Sequence, residues 1–223
     1  MSSDMKVISV NIGLPRIVTD NGDAVLTGIF KEPVAGRVIL RTLNLDGDRQ
    51  ADLSVHGGPS KAVYAYPSEH YEYWAREFPE MKLPWGMFGE NFTTAGLFES
   101  ELRVGDRLRI GSAIVMATEP RMPCYKLALR FGRSDVVKRF LASGRTGVYF
   151  AVLQEGEVGA DDRIESIERS KDSLRLSDIT ALYTHEKRNA GLLRRAIAVA
   201  ALPEGWKSYF RQRLAKLTEP AQD

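Results

Sequence analysis

Through the first 170 residues the apolar positions fall in short, β-branched-rich runs bounded by glycine-bearing turns, which is the pattern of strands rather than helices. Met5–Asn11, Ala24–Phe30, Arg37–Leu43, Arg107–Ile110, Ala113–Thr118 and Gly147–Leu153 are the predicted strands. Charged and apolar residues alternate from Asp106 to Ile110, Gly111-Ser112 turns the chain, and a second apolar run follows, so this stretch is predicted to be a hairpin. Strands that recur without long helices between them pair antiparallel, and at this length they predict a sandwich or a closed barrel.

Two inserts break the strand pattern. Pro67 followed by SEHYEYWAREF sets Tyr71, Trp74 and Phe78 at helical spacing, with the proline near the first turn, where its missing N–H is harmless. After Cys124, YKLALRFGRSDVVKRFLASG reads as two short amphipathic helices broken around Gly132, the second capped by Ser134 and stopped at Gly144. From about Ser173 the period becomes helical throughout. Ser177 is placed to cap DITALYTHEK, Asn189 to cap AGLLRRAIAVAAL, and Pro203 to open EGWKSYFRQRLAKL. The charged, aperiodic stretch Ile167–Asp172 divides the chain into a β unit at 1–168 and a three-helix unit at 173–218.

Composition narrows the chemistry. One cysteine in 223 residues excludes an internal disulfide framework and any zinc site built on several cysteines. No run reaches the apolar length of a membrane span, and MSSDMKVISV lacks the pattern of a secretion signal, so a cytoplasmic protein without a membrane partner is expected. Charge is unevenly spread: residues 171–223 hold 10 basic and 6 acidic side chains, whereas the first 170 hold 21 and 23. Such a basic tail reads as a solvated or packing face, or as a docking or dimerisation surface using Arg188, Arg194, Arg195, Arg211 and Arg213, so a homodimer stays open. No recognition-helix motif supports nucleic acid, which is not expected.

Three segments concentrate glycine, charge and ligand-forming side chains. In GDRQADLSVHGGPSK, Gly57 and Gly58 after His56 let the backbone approach a ligand and leave N–H groups for an anion, to which Lys61 adds a cation; the same residues also suit an ordinary glycine turn. In GMFGENFT, Glu90 and Asn91 offer acceptors and donors beside a glycine, as plain turns also do. In EPRMPCYKL, two prolines hold Cys124 on a stiff loop between a strand and a helix, with Arg121 and Lys126 on either side. Both cations favour a thiolate able to act as nucleophile, redox thiol or soft-metal ligand. His56 is the only histidine in a glycine-lined loop; His70 lies on the aromatic helix and His185 in the tail, where filling or capping roles suffice.

Taken in order, MKVISVNIG, TGIFKEPVAGRV, GDRQADLSVHGGPSKAVYAYPSEHYEYW, PWGMFGENF, LRVGDRLRIG and EPRMPCYKL resemble the MOSC family, named for the C-terminal part of molybdenum cofactor sulfurase. The likeness is close to small bacterial stand-alone members that carry a C-terminal three-helix domain. The resemblance implies a mainly β fold, an antiparallel β-barrel with short helical inserts, holding a molybdopterin-type molybdenum cofactor whose metal is ligated by Cys124. Lys31 is then the leading phosphate contact and Arg121 the next, with His56, Asn91, Lys61, Gly57 and Gly58 as pocket residues; pyridoxal phosphate is not expected. Ser60 stands where relatives often have aspartate, and Glu119 where glutamine is common.

The implied activity is reduction of N-hydroxylated compounds, such as hydroxylaminopurine-type bases, amidoximes and hydroxylamines, a detoxification chemistry in which His56 helps to protonate the nitrogen. Two electrons must come from a separate flavin or iron–sulfur reductase, because the chain shows neither a dinucleotide-binding glycine fingerprint nor cysteines for a cluster. A non-catalytic cofactor carrier, or a metal-free thiol or persulfide protein using Cys124, are the alternative functions.

Overall fold

A computed structural model describes residues 4–20, 22–51 and 57–218. The chain opens with β1 (Lys6–Ile12), β2 (Arg16–Asp20), β3 (Asp23–Thr27), β4 (Glu32–Pro33) and β5 (Arg37–Leu40). A 3-10 turn at Pro59–Lys61 leads into β6 (Val63–Pro67), helix α1 (Glu69–Glu77) and β7 (Phe92–Ala95). The hairpin of β8 (Arg107–Ile110) and β9 (Ala113–Pro120) precedes α2 (Tyr125–Phe131) and α3 (Val136–Ser143). Then come β10 (Val148–Gln154), β11 (Gly156–Gly159), β12 (Ile164–Glu168), and finally α4 (Leu176–Thr184), α5 (Ala190–Ala198) and α6 (Glu204–Thr218). No helix among the described residues is long and apolar enough to cross a membrane.

The main sheet runs β12-β8-β9-β10-β6-β7-β1-β4, and the pairs β11-β5 and β2-β3 stand apart from it. Two features correct the expected closed antiparallel barrel. First, β6 and β7 are parallel, because α1 and the loop after it carry the chain over before β7 begins. Second, the ladder is open among the described residues: its edge strands β12 and β4 do not pair with each other. The β1 end and the segment before β12 meet through a single bridge, Lys6 to Arg163, and a few backbone bonds such as Val7 N–H to Asp162 at 2.9 Å. Edge strand β4 is two residues long and ends on Pro33, which has no N–H to extend a ladder. Register shifts in the β1, β9, β10 and β12 pairings bend the sheet so that it curls around its contents without zipping shut.

Every residue of β6 is buried, and alternation along it sorts two cores. Val63 and Ala65 point into the sheet interior with Val7, Val10, Phe92, Val115 and Phe150. Tyr64 and Tyr66 point the other way, into an aromatic cluster built from α1, α2, α3 and the loop before β7, with Trp74, Phe78, Phe88, Phe131 and Phe140. The C-terminal helices belong to the first core: Ile179, Leu182, Leu193, Trp206 and Phe210 join the same cluster as the sheet residues. Asn189 caps α5 by accepting the Leu192 N–H at 3.0 Å, as expected. Two other caps are corrected. α4 begins at Leu176, one residue before the expected Ser177 cap, and Asp178 turns back to accept the Arg175 N–H at 3.0 Å. α3 follows Asp135, one residue after Ser134, where Asp135 is held by Arg133 and Arg139.

Because Phe210 is fully buried in the core shared by sheet and helices, Phe210→Ala is expected to cost about 3–5 kcal/mol, removing apolar contact and leaving a cavity. Urea unfolding followed by far-UV circular dichroism and by tryptophan fluorescence should give one coincident, earlier transition; separate transitions for the two probes would mean that the helices do not share that core.

Candidate functional site

A cleft with about 680 Å³ of empty space, part of it open to solvent, lies where the end of β3, the segment after it, the glycine turn before β6 and the loop between β9 and α2 meet. Thr27 to Ile29 and Lys31 form one wall, and Gly57 and Lys61 another. Tyr64, Gly89, Asn91 and Tyr149 lie along the sheet, and Arg121, Met122, Cys124 and Lys126 close the far side. Residues predicted from segments far apart in sequence thus meet at one place: Cys124, Lys31, Arg121, Asn91, Lys61 and Gly57 all border it. Gly58 adjoins the wall as the residue before the 3-10 turn. His56 lies outside the described residues.

The floor is organised by Asp48, which is buried. Its Oδ1 accepts the Lys31 ammonium and the Gly13 N–H (2.8 Å), and its Oδ2 accepts the Asn91 side-chain amide at 2.9 Å. Burial works against the charge on Lys31 and lowers its pKa; Asp48 and, further off, Glu90 oppose that shift. The Asn91 carbonyl accepts the Tyr64 N–H at 3.1 Å, so both ends of this amide are engaged within the protein while its body faces the cleft. Glu90, one residue earlier, points away into the aromatic core. It accepts from the Tyr71 hydroxyl, the Gly86 and Phe88 N–H groups (2.8 and 3.0 Å) and Thr93 Oγ1 (2.9 Å), and burial raises its pKa against those donors. Gly86 is required there: at φ +83°, a Cβ would stand 2.6 Å from the Lys31 carbonyl oxygen.

Cys124 follows β9 on the Pro120–Pro123 loop and is the extended residue immediately before α2, only partly buried and facing the cleft. Arg121 is 5% exposed, and its Nη1 has no hydrogen-bond partner. Its guanidinium carbon stands 5.1 Å from the Tyr64 ring centre and 5.3 Å from that of Phe140, so the aromatic core is the surface it leans on. Burial alone would lower the Arg121 pKa, but Tyr64, Tyr149 and Cys124 around it hold it above the ordinary value. The Tyr149 hydroxyl is raised chiefly by burial, with Arg121 opposing, and therefore stays protonated.

Gly57 and Gly58 have φ of +94° and +81°, a left-handed pair that only glycine adopts without strain. They deliver the chain into the turn that carries Ser60 and Lys61. The two departures from the family pattern meet here: Ser60 Oγ donates to Glu119 Oε1 at 3.3 Å, and Lys61 Nζ lies 3.8 Å from Glu119 Oε2. Burial raises the Glu119 pKa, with Lys61, Trp206 and Ser60 pulling it down.

Among the described residues five cations line the cleft, namely Lys31, Arg49, Lys61, Arg121 and Lys126, and no carboxylate does. Asp48 and Glu119 stand behind Lys31 and Lys61; Arg49, Arg121 and Lys126 have no carboxylate partner among the described residues. The described residues therefore place an excess of positive charge beside a thiol. The sequence assigns no site role to Asp48, Tyr64, Tyr149 or Arg49, and Lys126 is expected only as a cation flanking Cys124. Asp48 had one available signal, an acid within the same glycine-rich segment as His56. Among the described residues no three of His, Cys, Asp and Glu converge as metal ligands. The other histidines sit elsewhere: His70 is buried with its Nε2 at 3.0 Å from Glu99, and His185 ends α4 beside Thr184.

A family model for the MOSC domain matches residues 52–165, and one for the YiiM-like, 3-alpha helix domain matches 176–217. The uncharacterized protein YflK of Bacillus subtilis is 39% identical over 211 residues, 95% of each chain. A protein named Reductase from Gibberella moniliformis is 32% identical over 151 residues, 66% of this chain and 27% of that one. The crystal structure of YiiM from Geobacillus stearothermophilus superposes with a TM-score of 0.79 at 34% identity, covering 94% of this chain and 99% of that one.

Two outcomes follow from the buried carboxylates. Asp48→Asn leaves the Lys31 ammonium buried without a counter-charge and is expected to cost about 3–5 kcal/mol in urea unfolding. Lys31→Met/Asp48→Asn, which removes both charges, should recover most of that loss; a double variant no more stable than Asp48→Asn would refute the pairing. For Glu119, a folded-state pKa raised above the unfolded one means the native state holds the proton more tightly. Its contribution to stability is therefore full below the ordinary glutamate range and is lost as pH rises through the raised value. Glu119→Gln should flatten that descending limb of a thermal stability profile against pH, and an unchanged limb would contradict the shift.

Proposed function

The chain belongs to the MOSC family, with the YiiM-like three-helix addition, and from that premise we propose that it is a molybdenum-cofactor-dependent reductase of N-hydroxylated compounds. The observation that carries this reading is the buried Arg121 with an unpartnered Nη1, facing a cleft that also holds the chain's one cysteine and, among the described residues, no lining carboxylate. A phosphate-bearing pterin with a soft metal matches that donor set: the thiolate of Cys124 suits the metal, and Arg121, Lys126 and Arg49 suit the phosphate. When bound, the cofactor supplies the two-electron, oxygen-accepting centre that N–O cleavage needs.

The protein's part is to bind, orient and protonate. Lys31, neutralised by Asp48, contributes a hydrogen-bond donor fixed in place more than net charge, while Arg121 keeps its full charge on its aromatic support. Gly57 brings backbone close to the ligand without a side chain in the way. The balanced reaction takes the N-hydroxylated substrate, two electrons and two protons to the amine or amidine and water; His56 is the proton carrier assigned from sequence. Electrons come from a separate flavin or iron–sulfur reductase. The Gibberella relative named Reductase agrees with the redox class at a coarser level.

The test begins with wild type and Cys124→Ser purified from a host that makes the cofactor. Molybdenum and released pterin should be near stoichiometric in wild type, and molybdenum should fall by roughly tenfold or more in the variant, since the deprotonated thiol is the metal's ligand. Reduction of an amidoxime or a hydroxylaminopurine by wild type with reduced viologen as electron donor completes the test. Absence of cofactor from both proteins would end this reading, and a loaded protein inert on all such substrates would make it a carrier.

A further inference from the structure

Glu119, near the end of β9, receives contacts from three separate parts of the chain. Its Oε2 accepts the indole N–H of Trp206 on α6 at 2.8 Å, across 87 positions of sequence. Ser60 and Lys61 reach the same carboxylate from the glycine turn at 3.3 and 3.8 Å. Thr118 beside it donates from Oγ1 to the Ser60 carbonyl at 2.6 Å. Across the ladder Glu119 pairs with Tyr149, whose ring lies under Lys61 with 6.0 Å between Nζ and the ring centre. The turn is thus held from below by Thr118 and Glu119, and the free side of Glu119 is occupied by a C-terminal helix.

A plain strut between α6 and β9 has no need of charge. Glutamine would accept the indole N–H equally well, without the cost of burying a carboxylate that is 5% exposed. Among the described residues the negative charge has a use only toward Lys61, which faces the cleft. We propose that Glu119, braced by Trp206, is a positioning residue that fixes Ser60 and Lys61 at the cleft wall, so that α6 sets the placement of a ligand-facing cation. The consequence for ligand binding rests on the reading of the cleft as the cofactor site.

Trp206→Phe keeps a ring in the core and deletes the N–H. Hydrogen exchange of the full-length protein should show the amides of Lys61 and Ala62, which bond to Gly58 and Phe150 at 3.0 Å each, exchanging faster by on the order of fivefold, the scale of one lost hydrogen bond. Phe210→Leu, a packing change on the same helix, is the control and should leave those two amides no more affected than the rest of the sheet. In a cofactor-making host, Trp206→Phe and Glu119→Gln should retain several-fold less molybdenum per folded protein than Phe210→Leu. Ser60→Asp/Glu119→Gln, which moves the carboxylate across the same contact, should restore what Glu119→Gln loses. Unchanged exchange at Lys61 and Ala62 in Trp206→Phe, or an equal rise in Phe210→Leu, overturns the proposal even if wild type carries molybdenum. A selective rise in a wild-type background without molybdenum upholds the positioning and removes the cofactor reading instead.

Discussion

The carboxylate of Asp48 lies out of contact with water and ties together side chains and backbone from three parts of the chain that the β1–β4 and β1–β7 pairings already bring near: the Lys31 ammonium, the Asn91 amide and the Gly13 backbone. A buried ion pair of this kind is weak as a source of stability, because desolvating both charges offsets most of their attraction. Its effect is geometric. Through Asn91 the same carboxylate is linked to the Tyr64 N–H and so to β6, the strand on which both cores rest. The cleft floor, the segment after β3 and the central strand therefore share one hydrogen-bonded node, and displacing any one of them would leave a buried charge unmatched.

That node also decides which cations are available. Lys31 is matched by Asp48 and Lys61 faces Glu119, so among the described residues Arg121, Lys126 and Arg49 supply the uncompensated positive charge of the cleft. Arg121 remains charged in a buried place because aromatic faces and hydroxyls replace the water it loses: Tyr64 and Phe140 lie beside its guanidinium. The aromatic cluster under α1, α2 and α3 is thus more than filler. It is the support on which a buried, unpartnered guanidinium nitrogen of the cleft, Arg121 Nη1, is held.

Much of this was legible in the residues. The β8–β9 hairpin was readable because alternation and a Gly-Ser turn agree over Asp106–Thr118. Cys124, Lys61, Gly57, Asn91 and Arg121 stood out because each lies in a segment dense in glycine, proline or charge, Lys31 was reached only through the family resemblance, and the structure gathers all six at one cleft. β6 was missed for a physical reason: with Val63 and Ala65 in one core and Tyr64 and Tyr66 in the other, AVYAYP shows no polar alternation at all. β7 is four residues long and threonine-rich, too short for any period to show. Closure of the sheet into a barrel was an expectation drawn from strand count. Count cannot reveal that edge strand β4 is two residues ending in proline, or that the β6–β7 pairing is parallel. Asp48 went unassigned because nothing in GDRQ marks which acid will be buried; that is settled by Lys31 and Asn91, 17 and 43 positions away.

The pair Ser60 and Glu119 shows how far residue-by-residue reading of a family pattern carries. Taken singly, a serine in place of an acid and an acid in place of an amide are two independent losses of hydrogen-bonding logic. In the structure they touch, so the acid expected on the turn is found on β9, across the same contact. Lys61 has a carboxylate partner at 3.8 Å, and the indole of Trp206 has an acceptor in the same group. At this point the structure holds one carboxylate between the glycine turn and the strand, against a donor from the C-terminal helix. Which of the two positions carries that charge is secondary to its location beneath Lys61, because Coulomb attraction in a dry pocket depends on separation and surroundings rather than on the segment that delivers the carboxylate.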